Sequence, residues 1–167
     1  MTDLWPPIAI LGFVTAQRLV ELPIARANTA RLLGLGGREV APGHYPLIVA
    51  LHATWLASLW WFALGRQIDI NLLVLFGFVE LARVWVLRTL GNRWTTRIIV
   101  VPGEKLVARG PYRFISHPNY AVVVAEIALL PMVFGLWQIA VIFSLLNLVI
   151  LSIRIRAEND ALESAPA

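Results

Sequence analysis

The sequence predicts an all-α integral membrane protein with five transmembrane helices, the last two forming a helical hairpin. Three observations lead there. Of the 167 residues, 59% are hydrophobic and only 14% are charged, where charged residues alone make up about a quarter of a soluble domain. The mean hydropathy is +0.74, and the apolar residues gather in runs about as long as a bilayer is thick. The charges fall mostly in the segments between those runs. The length fits a single membrane domain, residues 1–167. With 0 Cys there is no disulfide framework, thiolate zinc site or cysteine nucleophile. The net charge of +4 does not mark a nucleic-acid binder: all but one of the 14 basic residues are Arg, set in short interhelical segments where they read as topology signals.

The clearest span is residues 45–64, twenty residues without one Asp, Glu, Lys or Arg, which reach about 30 Å, the thickness of the hydrocarbon core. Residues 70–90 form a second such run with Glu80 and Arg83 inside it. Residues 137–153 form a third, interrupted only by Gln138, Ser144, Asn147 and Ser152. Residues 120–136 contain Glu126 and Pro131 and end in Phe134-Gly135-Leu136, so with Trp137 next they make the first arm of a tight hairpin. The N-terminal span, residues 4–22, starts at Pro6 and Pro7, where prolines suit a helix start. Its leading Met-Thr-Asp carries no basic residue and no small-residue cleavage pattern follows, which argues against a signal peptide.

Alternate connections of a five-span chain face opposite sides, and the charges divide accordingly. Arg26, Arg31 and Arg38 lie between the first two spans, Arg93, Arg97, Lys105, Arg109 and Arg113 lie in residues 92–119, and Arg154 and Arg156 follow the last span. The other ends hold Asp3, the short turn at 66–69 and the uncharged turn at Gly135. The positive-inside rule places the N-terminus outside the inner (cell) membrane and the long loop and C-terminus in the cytoplasm.

That long loop exceeds what a helix connection needs. Residues 95–101 are β-branched, Pro102-Gly103 marks a turn, and Lys105-Leu106-Val107 reads as a returning strand of a hairpin. Gly110 to Tyr120 then packs Tyr112, Arg113, Phe114, His117, Asn119 and Tyr120 into the mouth of the fourth span. Spacing leaves two readings open: an interfacial aromatic belt, or a site. The second polar cluster, Arg154 to Asp160, puts Arg154 and Glu158 on one helical face with Asn147 and Leu151 below them and Arg156 turned away. An ordinary i,i+4 ion pair is the plain reading of Arg154 and Glu158. The hairpin brings both clusters to one membrane face.

Charges inside the spans require partners. Glu80 and Arg83 are expected to pair. Glu126, six residues into its helix and about 9 Å deep, suits the floor of a site opening to the cytoplasm and binding substrate. His44 and His52 have no carboxylate or thiolate at ligand spacing, so no metal is expected.

The run from Glu104 through Lys105, Leu106, Val107, Gly110, Tyr112, His117, Pro118, Asn119 and Tyr120, followed by Arg154-Ile155-Arg156-Ala157-Glu158, resembles the isoprenylcysteine carboxyl methyltransferase family. The Leu-Val, Gly-x-Tyr, His-Pro-x-Tyr and Arg-x-x-x-Glu elements occur in order, and the likeness makes residues 92–162 a methyltransferase-like, cofactor-binding half. Gln17 to Leu22 and Gly43 to Pro46 resemble the short bacterial branch, some of whose members O-methylate alkylpyrones. The resemblance implies a membrane methyltransferase using S-adenosyl-L-methionine without a Rossmann fold, and the sequence has no G-x-G-x-x-G. It implies that Lys105, Leu106, Val107, Tyr112, His117, Pro118, Asn119, Tyr120 and Glu158 bind the cofactor and that Arg154 faces the acceptor as the catalytic residue. It also implies that the cytoplasmic loop packs with the C-terminal helix to form the cofactor site. Glu104 stands where eukaryotic members carry His, and Asn159 where many carry a second Glu.

Methyl transfer from a sulfonium is a displacement on an activated donor, so positioning and charge placement carry the catalysis. Arg154 suits an acceptor carboxylate or acidic enol, Glu158 the ammonium of the cofactor, and Tyr112 and Tyr120 stacking or cation–π contacts. The acceptor is expected to be a lipophilic small molecule, with membrane lipids as the other partners and no nucleic acid or obligate protein partner. The competing reading is a non-catalytic membrane scaffold or lipid-binding protein that keeps the fold.

Overall fold

The computed structural model describes residues 4–104 and 107–163. Among the described residues five helices carry the fold: α1 (Trp5–Gly34), α2 (Tyr45–Phe62), α3 (Ile70–Leu90), α4 (Pro118–Val133) and α5 (Trp137–Glu163). Strands β1 (Arg38–Glu39) and β2 (Ile99–Val100) and short 3-10 turns at 42–44, 91–93 and 110–113 occupy the connections. Helices α1, α2, α3 and α5 are long and apolar enough to cross a membrane. The 16 residues of α4 reach about 24 Å. Phe78, Leu81, Leu145 and Val149 point outward, as a surface solvated by acyl chains rather than water requires.

Local chemistry explains the boundaries. Pro6 and Pro7 open α1, Asp69 Oδ1 caps α3 by accepting from Asn71 N at 2.9 Å and Leu72 N at 3.1 Å, and Pro118 opens α4. Helix α4 lies between α3 and α5, and α5 also packs on α2. Leu11, Val14, Trp55, Leu59, Phe76, Ile127, Leu130 and Phe134 belong to one buried cluster that joins α1 to α4. At one end of the bundle, Asp69 N donates to Val133 O at 2.9 Å, which sets the α2–α3 turn against the tight α4–α5 turn. At the other end, β1 and β2 pair antiparallel, with Arg38 opposite Val100 and Glu39 opposite Ile99. That ladder ties the α1–α2 connection to the α3–α4 connection.

Three expectations are corrected. Helix α1 does not stop near residue 22 but runs 30 residues to Gly34, through Pro23. Its last turns are polar in sequence yet bury Ala25, Asn28 and Leu32, and Asn28 Nδ2 donates to Trp94 O at 2.8 Å and Gly91 O at 3.3 Å. The β-branched stretch before Pro102 pairs with residues 38–39, a partner that the sequence pattern did not suggest. Arg97 Nη1 reaches both Glu39 oxygens at 2.8 Å, and Ile98 and Val100 are buried in that arrangement. Lys105 and Leu106 lie outside the described residues.

The third correction concerns the intramembrane charges. Arg83 does not pair with Glu80, one turn away on the same helix. Its Nε and Nη2 donate to Glu21 of α1 at 2.7 and 2.5 Å, and its Nη1 donates to both Glu126 oxygens at 2.8 Å. Arg18 Nη2 adds a contact to Glu126 at 2.6 Å and its Nη1 lies 3.4 Å from Glu21. Two guanidinium and two carboxylate groups thus form a neutral tetrad joining α1, α3 and α4. The bidentate forks satisfy most of the polar atoms, which makes burial of charge tolerable here. The Glu80 oxygens are buried, with the Gln17 amide of α1 as their polar neighbour.

Arg83→Leu leaves Glu21 and Glu126 sharing only Arg18, so it is expected to destabilise the protein by about 3–5 kcal/mol, the usual cost of breaking a buried ion pair from one side. Glu80→Gln is expected to be nearly neutral. Thermal unfolding of both variants in detergent checks the contrast.

Candidate active site

The site grows from the sequence that starts α4. Gly110 has φ +57, and a Cβ there would meet Thr89 Oγ1 at 2.5 Å, so only glycine lets the 110–113 turn press onto α3. Pro111 is buried in that turn, and Tyr112 is half-buried beside it. His117, at φ −127 and ψ 62, lies outside the helical region, as a residue before proline tends to, and Pro118 begins the helix. Tyr120 therefore sits one turn below His117, and their rings stack with centroids 5.2 Å apart and planes at 15°.

Tyr120 is the hub. Its hydroxyl donates to Glu158 Oε2 at 2.5 Å and accepts from Arg154 Nε at 2.8 Å. The Arg154 guanidinium carbon lies 5.3 Å from the Tyr120 ring centroid, and Arg154 Nη1 donates to Thr96 O at 2.9 Å. Arg154 is buried, whereas Glu158 and His117 are half-buried. The His117 Nδ1 to Glu158 Oε2 separation of 3.9 Å is too long for a hydrogen bond. Thr96 is held in turn by Tyr45, whose hydroxyl lies 3.5 Å from Thr96 Oγ1 and whose ring carries the Arg97 guanidinium at 4.4 Å. Burial, and secondarily the negative charge of Glu158, push the Tyr112 hydroxyl up to about 12, so it stays a neutral phenol at physiological pH.

Of the residues singled out from sequence, Tyr120, Arg154, Glu158 and His117 meet directly, and Tyr112 lies within the field of Glu158. Pro118 is buried at the helix start and Asn119 beside it is half-buried. Val107 is half-buried outside any regular element. Arg156 is exposed on the opposite side of α5 from Arg154. Glu126 does not join this group: Arg83 and Arg18 hold its carboxylate in the tetrad, which corrects its expected place at the floor of a substrate site. Glu104 pairs with Arg93 at 2.6 Å. Sequence reasoning missed Thr96, which contributes only a carbonyl oxygen and so leaves no side-chain signature, and Tyr45, which is not near the cluster in sequence. It also read His44 only as an unsuitable metal ligand. An open apolar groove of about 710 Å³, lined by Trp5, Pro6, Ile10, Gln67 and Ile68, lies at the opposite end of the bundle and carries none of these groups.

The arrangement is that of a polytopic membrane protein with a polar site at one end of its helices, where a buried cation and a half-buried carboxylate share one phenol. The sequence profile of the isoprenylcysteine carboxyl methyltransferase (ICMT) family matches residues 72–164, more than half of the chain. The chain is also 38% identical over 172 aligned residues, 95% of this chain and 96% of the relative, to the uncharacterized protein YpbQ of Bacillus subtilis (strain 168). No solved structure matches. The chain belongs to the ICMT family, whose members are membrane methyltransferases.

Because the neutral Tyr112 phenol is favoured by folding, its contribution to stability is constant below pH 10, the ordinary tyrosine value, and falls as pH rises toward 12. The apparent Tm is expected to be flat to about pH 10 and then to drop. The decline should be shallower in Tyr112→Phe, measured by thermal unfolding across that range.

Proposed function

We propose that this protein transfers a methyl group from S-adenosyl-L-methionine to an oxygen of a lipophilic acceptor. The acceptor is a carboxylate or hydroxyl of a prenylcysteine-like, alkylpyrone or phenolic lipid. The observation that carries the reading is the Tyr120 bridge between Arg154 and Glu158, which assembles the family's two motif clusters at one end of an apolar bundle. The donor groups fit the cofactor. Glu158 has an oxygen without a hydrogen bond to any described residue, open to an ammonium or hydroxyl group, and Asn119 offers an amide not engaged by other described side chains. Tyr112 and Tyr120 offer neutral aromatic faces, and His117 is half-buried at the helix start. Lys105, Leu106, Val107 and Pro118 complete the cradle in this reading. When bound, the cofactor supplies an electrophilic methyl group on a sulfonium.

The chain's own groups then position and balance charge. Arg154 is fixed by Tyr120 and Thr96 through Nε and Nη1, which leaves Nη2 to hold an acceptor oxygen as the anion. Tyr120 keeps Arg154 and Glu158 apart while hydrogen-bonding both, so neither neutralises the other outright. No side chain is required as a nucleophile. The topology belongs to the same proposal: α4 crosses as well and brings the spans to five, the N-terminus is outside, and the Arg-rich connections and the end of α5 face the cytoplasm of the inner membrane. A water-soluble cationic donor and a membrane-soluble acceptor then meet at the boundary without either crossing it.

Purified protein in nanodiscs is expected to bind S-adenosyl-L-methionine saturably by calorimetry, with at least about a tenfold loss in Glu158→Gln, equivalent to about 1.4 kcal/mol. Mass spectrometry of a membrane lipid extract incubated with isotopically labelled cofactor is expected to show a labelled lipid with wild type and none with Arg154→Ala. A folded protein that binds no cofactor would favour the scaffold reading.

A further inference from the structure

The open groove at the far end of the bundle has a polar rim and an apolar floor. It holds about 710 Å³, within the range of about 300–1,000 Å³ that ligand pockets occupy. Its walls come from two parts of the chain. The first turns of α1 supply Trp5 and Ile10, and the α2–α3 connection with the start of α3 supplies Arg66, Gln67, Ile68 and Leu73. Three helices carry exposed indoles at this end, Trp5 at 70%, Trp61 at 81% and Trp137 at 58%, and such a ring of tryptophans marks the bilayer–water boundary. The groove straddles that level. Arg66 and Gln67 lie in the connection beyond the end of α2, whereas Ile10 lies about 7.5 Å further along α1 than Trp5, toward the hydrocarbon. Ile10, Ile68 and Leu73 pack against the buried cluster. Arg66 is the one Lys or Arg at this end among the described residues, against the charge bias between the two ends. It is exposed and makes no ion pair among the described residues. No acidic side chain among them lines the groove, and Asp69 is engaged through Oδ1 in capping α3.

We propose that this groove is the seat of one anionic phospholipid, of the phosphatidylglycerol type, from the leaflet that this end of the bundle meets. Its phosphodiester pairs with the Arg66 guanidinium and accepts from the Gln67 amide. One acyl chain runs from the rim between the start of α1 and the start of α3, over Ile10, Ile68 and Leu73. The order of the lining along the bilayer normal, cation and amide first and aliphatic side chains below, is the order of the groups in such a lipid. The apolar floor excludes water, and in a bilayer an acyl chain fills it. Charge selects the headgroup: a zwitterionic lipid would set its ammonium beside a guanidinium with no carboxylate of the groove to receive it, whereas a net-anionic one meets only the cation. The lipid ties the first turns of α1 to the α2–α3 connection. This seat is independent of the methyltransferase reading, because the site of Arg154 and Glu158 lies at the opposite end of the bundle.

The test uses the full-length protein in nanodiscs of phosphatidylglycerol and phosphatidylcholine in equal amounts, with a trace of either lipid carrying a photoactivatable acyl chain. After illumination and digestion, the phosphatidylglycerol probe is expected to label peptides spanning residues 5–10 and 68–73 about fivefold more than the phosphatidylcholine probe, the preference that one interfacial arginine supplies. Arg66→Gln is expected to erase that preference at these peptides while leaving labelling elsewhere unchanged. Ala9→Trp, which places an indole in the groove, is expected to remove the labelling by both lipids. Native mass spectrometry of protein released into mild detergent is expected to find one phosphatidylglycerol more on wild type than on Arg66→Gln. Equal labelling of the groove peptides by the two lipids in wild type overturns the proposal, and that comparison needs no variant to fold. A phosphatidylglycerol preference that survives in folded Arg66→Gln overturns it too. Chain-to-chain contact through the groove in place of lipid, seen as a dimer that Ala9→Trp dissociates, would make a second copy the occupant and overturn it as well.

Discussion

The bundle depends on placing charge inside a bilayer, and it does so with the tetrad of Arg18, Glu21, Arg83 and Glu126. No helix could carry these groups alone without a large desolvation cost. Combined, they cancel in net charge and satisfy one another through short forks, so the same groups that oppose insertion fix which helix faces α1, α3 and α4 present. Apolar contacts discriminate poorly among helix registers in lipid, because the tails are as apolar as the side chains. A bidentate Arg83 reaching two helices discriminates well.

With α3 and α4 fixed, the site follows from short-range chemistry. Gly110 admits the 110–113 turn onto α3, Pro118 sets the first turn of α4, and the tight turn at Gly135, φ +69, returns α5 alongside. The face of α5 that carries Asn147, Leu151 and Arg154 is buried throughout. Arg154 thereby arrives at Tyr120 as a consequence of helix period. The short β1–β2 ladder supplies the remaining constraint, since it holds the chain that offers Thr96 O to Arg154.

Much of this was legible in the sequence, for identifiable reasons. Apolar run length located α2, α3 and the hairpin, and i,i+4 spacing placed Arg154 and Glu158 together. The continuation of α1 was hidden because Pro23, Arg26 and Arg31 look like a helix end, while the buried stripe of Ala25, Asn28 and Leu32 has meaning only once Trp94 O is there to receive Asn28. The partner of Arg83 was misread for a related reason. Sequence proximity favours Glu80, but bidentate geometry with Glu21 and Glu126 is available only between helices. A carbonyl such as Thr96 O leaves no trace in composition or spacing at all.

The segment that carries the family's signature begins at residue 72, yet Glu21 and Arg18 supply half of the tetrad and Glu39, His44 and Tyr45 stand around the loop or the arginine of the site. The first two helices are therefore counter-ions and walls as much as anchors. Sequence drift in them is bounded by the charges of the recognisable half, so relatives that diverge at Glu21 or Arg18 must change α3 or α4 in step, and grafting the signature half onto foreign membrane spans would import charges with nothing to neutralise them.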